Sequence, residues 1–137
     1  MARGFEDVRR LALALPGTEE RTSRERLQWR VGDRLFVWER PLRAREVDEL
    51  GDAAPAGAIL GARVEHLIAK EALLASEPEI FFTTSHFDGH PSVLVRMDRI
   101  EEPALEEVVV EAWLARAPPR IVEQFLRDRP DLREARS

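Results

Sequence analysis

Two histidines and an acid stand close together in His86-Phe87-Asp88-Gly89-His90. Two imidazoles and a carboxylate are a ligand set for a divalent metal such as zinc or iron. Alternate residues of a strand share a face, so His86, Asp88 and His90 converge only if the chain stays extended through Asp88-Gly89. That dipeptide favours a turn, which would set the two histidines opposite each other across a hairpin. No third histidine is fixed nearby by sequence. No metal is therefore assigned, and the three residues stand only as positions to inspect. The plainer reading is a tight hairpin with His86 hydrogen-bonded at a sheet edge.

Arginine is the other side chain with chemistry to offer. Of the 21 basic residues only Lys70 is a lysine. Guanidinium forks match phosphate and carboxylate oxygens better than ammonium does, although a GC-rich coding sequence gives the same bias. Position says more than number. From Glu20 to Arg45, eight arginines (21, 24, 26, 30, 34, 40, 43 and 45) stand against four acids (20, 25, 33 and 39). That sector is basic within a chain of net charge -5. Asp98, Glu101, Glu102, Glu106, Glu107 and Glu111 form an acidic counterpart. Such a division can steer a partner. Nucleic-acid binding rests on neutralising phosphates, so the acidic total argues against that role while the basic sector leaves room for it. Trp29, Phe36, Trp38, Phe81, Phe82 and Trp113 would stack bases if exposed, but their registers point them into a core.

A catalytic constellation is missing. Ser85 beside His86 is no catalytic pair, because neighbours on a strand point to opposite faces. Gly57-Ala58-Ile59-Leu60-Gly61 leads into a strand, whereas a phosphate cradle leads into a helix. No nucleophile elbow, P-loop or dinucleotide fingerprint occurs. The expectation is a protein that is not an enzyme and needs no cofactor. The absence of cysteine removes disulfides and thiolate sites and suits a reducing cytoplasm. The Met-Ala-Arg start has no apolar run behind it, and no segment approaches the ~20 apolar residues of a membrane span. A soluble, cytoplasmic protein without a membrane partner is expected.

The elements that must position these residues read clearly. Residues 1–137 are one domain by length. Phe5, Val8, Leu11, Ala12 and Leu15 recur at helical spacing over residues 4–15, and Pro16-Gly17 ends that helix. Residues 24–31 and 34–40 read as a hairpin turning at Gly32-Asp33. Its register pairs Trp29 with Phe36, Leu27 with Trp38 and Arg26 with Glu39. Leu27, Trp29, Val31, Phe36 and Trp38 then share the core face. A short helix over 43–50, a loop to residue 57 and a third strand over 58–64 follow. Next come a helix from Leu67 to Ser76 and two buried strands, 79–85 and 92–98, joined by the Asp88-Gly89 turn. Pro103 opens a helix in which Leu105, Val108, Val109, Ala112, Trp113 and Arg116 recur on one stripe. Pro118-Pro119 starts a short C-terminal helix, and residues 128–137 read as a charged, frayed tail. The fold class is α+β: a two-layer sandwich of a five-stranded antiparallel sheet with helices on one face.

Several local motifs resemble the MmcQ/YjbR family. They are Leu15-Pro16-Gly17, Trp29-Arg30-Val31 with Leu35-Phe36-Val37, Glu39-Arg40-Pro41-Leu42, Gly57-Ala58-Ile59-Leu60 and Lys70-Glu71-Ala72-Leu73-Leu74. The most specific are Phe82-Thr83-Thr84-Ser85-His86-Phe87-Asp88-Gly89-His90 and Glu111-Ala112-Trp113-Leu114-Ala115-Arg116-Ala117-Pro118. The resemblance implies a CyaY-like or secretion-chaperone-like fold with α-β3-α-β2-α topology. It brings a DNA-binding label that rests on fold analogy, and fold does not imply function. It transfers no catalytic residue. Many relatives carry Tyr or another aromatic where His90 stands, so a metal role for His90 would not be a family trait.

Two functions follow as expectations. One is a nucleic-acid-binding module whose 24–40 hairpin acts as a wing. In it Arg24, Arg26, Arg30, Arg34, Arg43 and Arg45 meet phosphates of DNA, weakly and with strong salt dependence. The alternative is a protein- or peptide-binding adaptor that receives its partner by strand addition.

Overall fold

Val8, Leu11 and Ala12 line one face of α1 (Phe5–Leu13) and bury it in the core. The computed structural model describes residues 4–136. The Met-Ala-Arg start and Ser137 lie outside the described residues. Three strands follow: β1 (Thr18–Ser23), β2 (Arg26–Val31) and β3 (Arg34–Glu39). Then come α2 (Ala44–Leu50), β4 (Ile59–Arg63), α3 (Leu67–Ser76), β5 (Phe81–Phe82) and β6 (Ser92–Arg96). The chain ends with α4 (Glu102–Arg116), α5 (Pro119–Arg127) and α6 (Pro130–Arg136). Among the described residues the strands form one antiparallel sheet, ordered β1-β2-β3-β4-β6-β5. The α+β class holds, with six strands in place of five. The segment read as a frayed tail is helical to Arg136, and Leu132 packs against the core.

The extra strand is β1. Its sequence Thr-Glu-Glu-Arg-Thr-Ser carries no apolar residue, so no alternation announces it. Glu20, its inward-facing member, accepts a hydrogen bond from Trp29 Nε1 (3.0 Å) and one from Arg9 Nε (2.7 Å). Arg24 and Glu25 take positive φ of 50° and 66° to close the β1–β2 turn. Gly32-Asp33 closes the β2–β3 turn in the same way, with φ of 55° and 65°, as the twist of a two-residue hairpin requires.

A β-bulge corrects the hairpin register. Arg30 pairs with Leu35, yet Trp29 pairs with Val37, which leaves Phe36 as the additional residue. A bulge reverses the facing of everything beyond it. Phe36 and Val37 both enter the main core with Trp29 and Val31. Trp38 therefore crosses to the other face and joins a smaller cluster of Ile59, Phe82, Phe87 and Leu94, under Leu42 and Leu50. There its indole lies over Gly61, where any Cβ would sit 2.3 Å from the ring. Leu27, Trp29, Val31 and Phe36 keep the face read for them.

The strands expected over 79–85 and 92–98 are shorter. Only Phe81 and Phe82 of the first pair with β6. The chain then leaves the ladder through loop 83–91, because Thr84 and Ser85 are bonded to carboxylates of α2. Ser85–Phe87 forms a 3-10 turn, and Gly89 (φ 73°) turns the chain back towards β6.

Candidate anion-binding site

Loop 83–91 is held from below by three buried polar groups. Glu46, on the inner side of α2, accepts two hydrogen bonds from the Arg40 guanidinium, at 2.8 and 2.9 Å. It also accepts from the Arg43 N–H (2.9 Å) and from Thr84 Oγ1 (2.7 Å). Burial alone would raise its pKa; the donors from Arg40, Arg43 and Thr84 override that and hold it at about 2. Glu49, one turn on, accepts from the N–H (2.8 Å) and hydroxyl (2.7 Å) of Ser85. From α3, Lys70 Nζ donates to the carbonyls of Phe87 (2.6 Å) and His90 (2.9 Å). Burial pushes the Lys70 pKa down, and Asp88 partly offsets this. Phe87 plugs the smaller core, with the Arg40 guanidinium over its ring at 5.1 Å.

Around this fixed loop the surface is cationic. Arg63 ends β4, Arg116 ends α4 and Arg34 begins β3. Arg63 and Arg116 are half-buried, and each has a buried Nε with no hydrogen-bond partner. Burial and then the nearby Arg116 charge push the Arg63 pKa down. Burial and then Arg34 do the same to Arg116. His90 is lowered by burial and by Arg63, Lys70, His86 and Arg116, in that order. On its α2 side the loop borders a polar cleft of about 500 Å³ lined by Arg43, Arg45, Glu46, Glu49, Ser85 and His86. A set of guanidinium groups around a rigid loop can hold oxyanions.

The YjbR family model matches residues 13–115. The chain belongs to the YjbR family. Uncharacterized protein Rv2570 of Mycobacterium tuberculosis is 46% identical over 125 residues, which cover 89% of this chain and 95% of that protein. Uncharacterized protein Mb2600 of Mycobacterium bovis matches over the same length with the same identity. The crystal structure of Deinococcus radiodurans protein DR2400, with a DUF419 domain, is similar in fold at a TM-score of 0.62. Its sequence identity is 19%, and the match covers 82% of this chain and 78% of that one.

The YjbR motifs quoted above meet around one loop. Arg40 from one, Lys70 from a second and Thr84 with Phe87 from a third make the network beneath loop 83–91. Arg116 comes from a fourth.

The arginines singled out by sequence do not form one patch. Arg26 is paired with Glu39 (3.2 Å). Arg30 donates to Gln28 Oε1 (3.1 Å) and to the Asp33 carbonyl (3.3 Å). Arg24 lies in the β1–β2 turn, and Arg34 stands at the opposite end of β2 beside Arg116. Arg43 and Arg45 sit together on the α2 cleft. Of the three positions inspected for metal, His86 and His90 both pack edge-on against the Phe87 ring. Among the described residues no three His, Asp or Glu side chains gather as a metal site. Sequence reasoning passed over Arg63. Its signal was a lone charge closing the apolar run Ile59-Leu60-Gly61-Ala62. Arg116 carried the same kind of signal, a charge on the apolar stripe of α4. No helix among the described residues is long and apolar enough to cross a membrane.

Proposed function

We propose that this YjbR-family chain is a binding module for nucleic acid, and that it grips phosphates with the cationic rim of loop 83–91. The supporting observation is a contrast in pairing. Arg26 is spent on an acid and Arg30 on its own hairpin, whereas Arg63 and Arg116 have no acid partner. The wing therefore moves from the hairpin to the loop. A local positive field works within an acidic chain because salt screens charges beyond about 8–10 Å.

The peptide-adaptor reading has an observation too. β1 is an outer strand with one side of its main chain unpaired, which suits strand addition. Its Glu19, Glu20 and Arg21 are, however, the charges that blunt edge pairing, so nucleic acid is favoured.

The test is a titration of duplex and single-stranded DNA by fluorescence anisotropy over a range of salt. Contact with about three phosphates gives a log–log salt slope near -2 to -3. Reversing Arg43 and Arg45 to Glu should abolish binding, and reversing Arg26 should change it little. Affinity no tighter than millimolar at low salt would remove the proposal, and salt-insensitive association with a peptide would replace it with the adaptor.

A further inference from the structure

We infer that Arg63 and Arg116 form a discrete site for one phosphate-sized oxyanion, held between the end of β4 and the end of α4. The inference rests on the reading above for the sign of the ligand and goes beyond it in assigning a single bound group to two named side chains.

Three observations carry it. First, each arginine has a buried Nε–H with no acceptor. Native proteins satisfy nearly all such donors, and an orphan marks strain, a function or a missing ion. Second, two like charges are placed together and kept partly out of water. The ionised neighbour that Arg63 feels is Arg116, and the one Arg116 feels is Arg34. Third, acids are at hand and are not used as partners. Glu107 and Glu111 line the same groove as Arg63, between β4 and α4. Glu65 follows β4, where it faces His66. No ion pair joins any of them to Arg63 or Arg116. A structural role for Arg63 would show a carboxylate within reach, as Arg40 shows Glu46.

Position explains part of Arg116. A cation at the last residue of a helix is favoured by the carbonyl ends there. Nothing similar supports Arg63 at the end of a strand. The remaining charge calls for an acceptor from outside, and a tetrahedral dianion can take parallel N–H donors from two guanidinium forks at once. Relief of the repulsion adds to binding. Carboxylates offer fewer acceptor oxygens and less charge, so phosphate is the favoured class.

The probe is inorganic phosphate with the full chain. In wild-type protein, phosphate at ten times its Kd should raise Tm saturably by roughly 4–6 °C over chloride at equal ionic strength. The arginine Nε–Hε signals of Arg63 and Arg116 should shift together along one binding curve in NMR. Arg63→Gln and Arg116→Gln should each melt at or above the wild-type temperature without phosphate and lose the phosphate response. The NMR arm needs no variant, so misfolding of either one leaves the test intact. A phosphate response no larger than that of chloride overturns the inference. So does a response that persists in both variants, or Nε–Hε signals that stay still while Tm rises. Phosphate binding without DNA binding would uphold this site and remove the nucleic-acid reading. DNA binding without phosphate binding would do the reverse.

Discussion

Arg40 and Arg63 flank the same loop and are treated in opposite ways. Arg40 is 10% exposed at its side chain and lies fork-to-fork on Glu46, which is 4% exposed. Every charge in that cluster has a partner, and a main-chain N–H and a threonine hydroxyl complete the carboxylate. Arg63 is less deeply placed, yet it has a buried orphan donor and another arginine for a neighbour. A buried pair that is fully satisfied fixes geometry, while a like-charged pair left unsatisfied costs stability and persists where a ligand offsets it. The comparison separates the scaffold of the loop from the surface that the scaffold presents.

The largest expected effect breaks the satisfied side. Glu46→Gln leaves the Arg40 charge buried without a counter-ion, and losses of this kind are about 3–5 kcal/mol. Urea denaturation at pH 7 measures it. A loss below about 1 kcal/mol would mean that Arg40 finds another acceptor and that the two arginines differ less than their contacts suggest.

Acid offers the same test without mutation. The folded-state pKa of Glu46 lies below its ordinary value of 4.5, at about 2. The unfolded chain therefore takes the proton first as pH falls. The contribution is fully present above about pH 4.5 and is lost progressively towards pH 2. A shift of that size is worth about 3 kcal/mol. Stability measured from pH 6 to pH 2 should fall steeply in the wild type, and the slope should flatten in Glu46→Gln.

How much of this was legible beforehand follows from the range of each interaction. α3 was read at its observed ends because its signals are local: an apolar run after His66 and Pro78 beyond Ser76. The Gly32-Asp33 turn was read for the same reason. The bulge at Phe36 was not, since a bulge leaves the alternation of β3 intact and shows only in its pairing with β2. β1 was missed because its one inward side chain is Glu20, whose partners Arg9 and Trp29 come from two other elements. The site divides likewise. Loop 83–91 was picked out by its residue types. Arg63 and Arg116 stand far apart in sequence, and only the packing of α4 beside β4 brings them together. The predicted Arg26–Glu39 pair does form, although the bulge shifts the register. Glu39 reaches back to the Leu27 N–H (3.1 Å) as well as to Arg26.

Lys70 sharpens the comparison, because it is a buried cation satisfied by main chain alone. Lys70→Met keeps the apolar stem and orphans the carbonyls of Phe87 and His90, which should cost about 1.5–3 kcal/mol. Hydrogen exchange should quicken within 83–91 and leave β2 unchanged. An unaltered loop would mean that Glu46 and Glu49 hold it unaided. On the unsatisfied side the sign reverses. Arg63→Gln in phosphate-free buffer should leave stability equal or higher by up to about 1 kcal/mol, read from the urea midpoint. A clear loss would assign Arg63 to the scaffold and dissolve the distinction.

The smallest effect calibrates the rest. Arg26 is paired as Arg40 is, but its side chain is 51% exposed and that of Glu39 is 20% exposed. Water already solvates the guanidinium, so Arg26→Ala should cost about 0–1 kcal/mol and nothing measurable in 1 M salt. Glu39→Ala should cost more, because it also strips the Leu27 N–H of its acceptor. A double-mutant cycle separates the two contributions. A coupling near that of Arg40 with Glu46 would show that exposure does not set the strength of these pairs. Coupling of a few tenths of a kcal/mol, vanishing with salt, places Arg26 outside the scaffold and leaves depth of burial as the variable that divides the arginines of this fold.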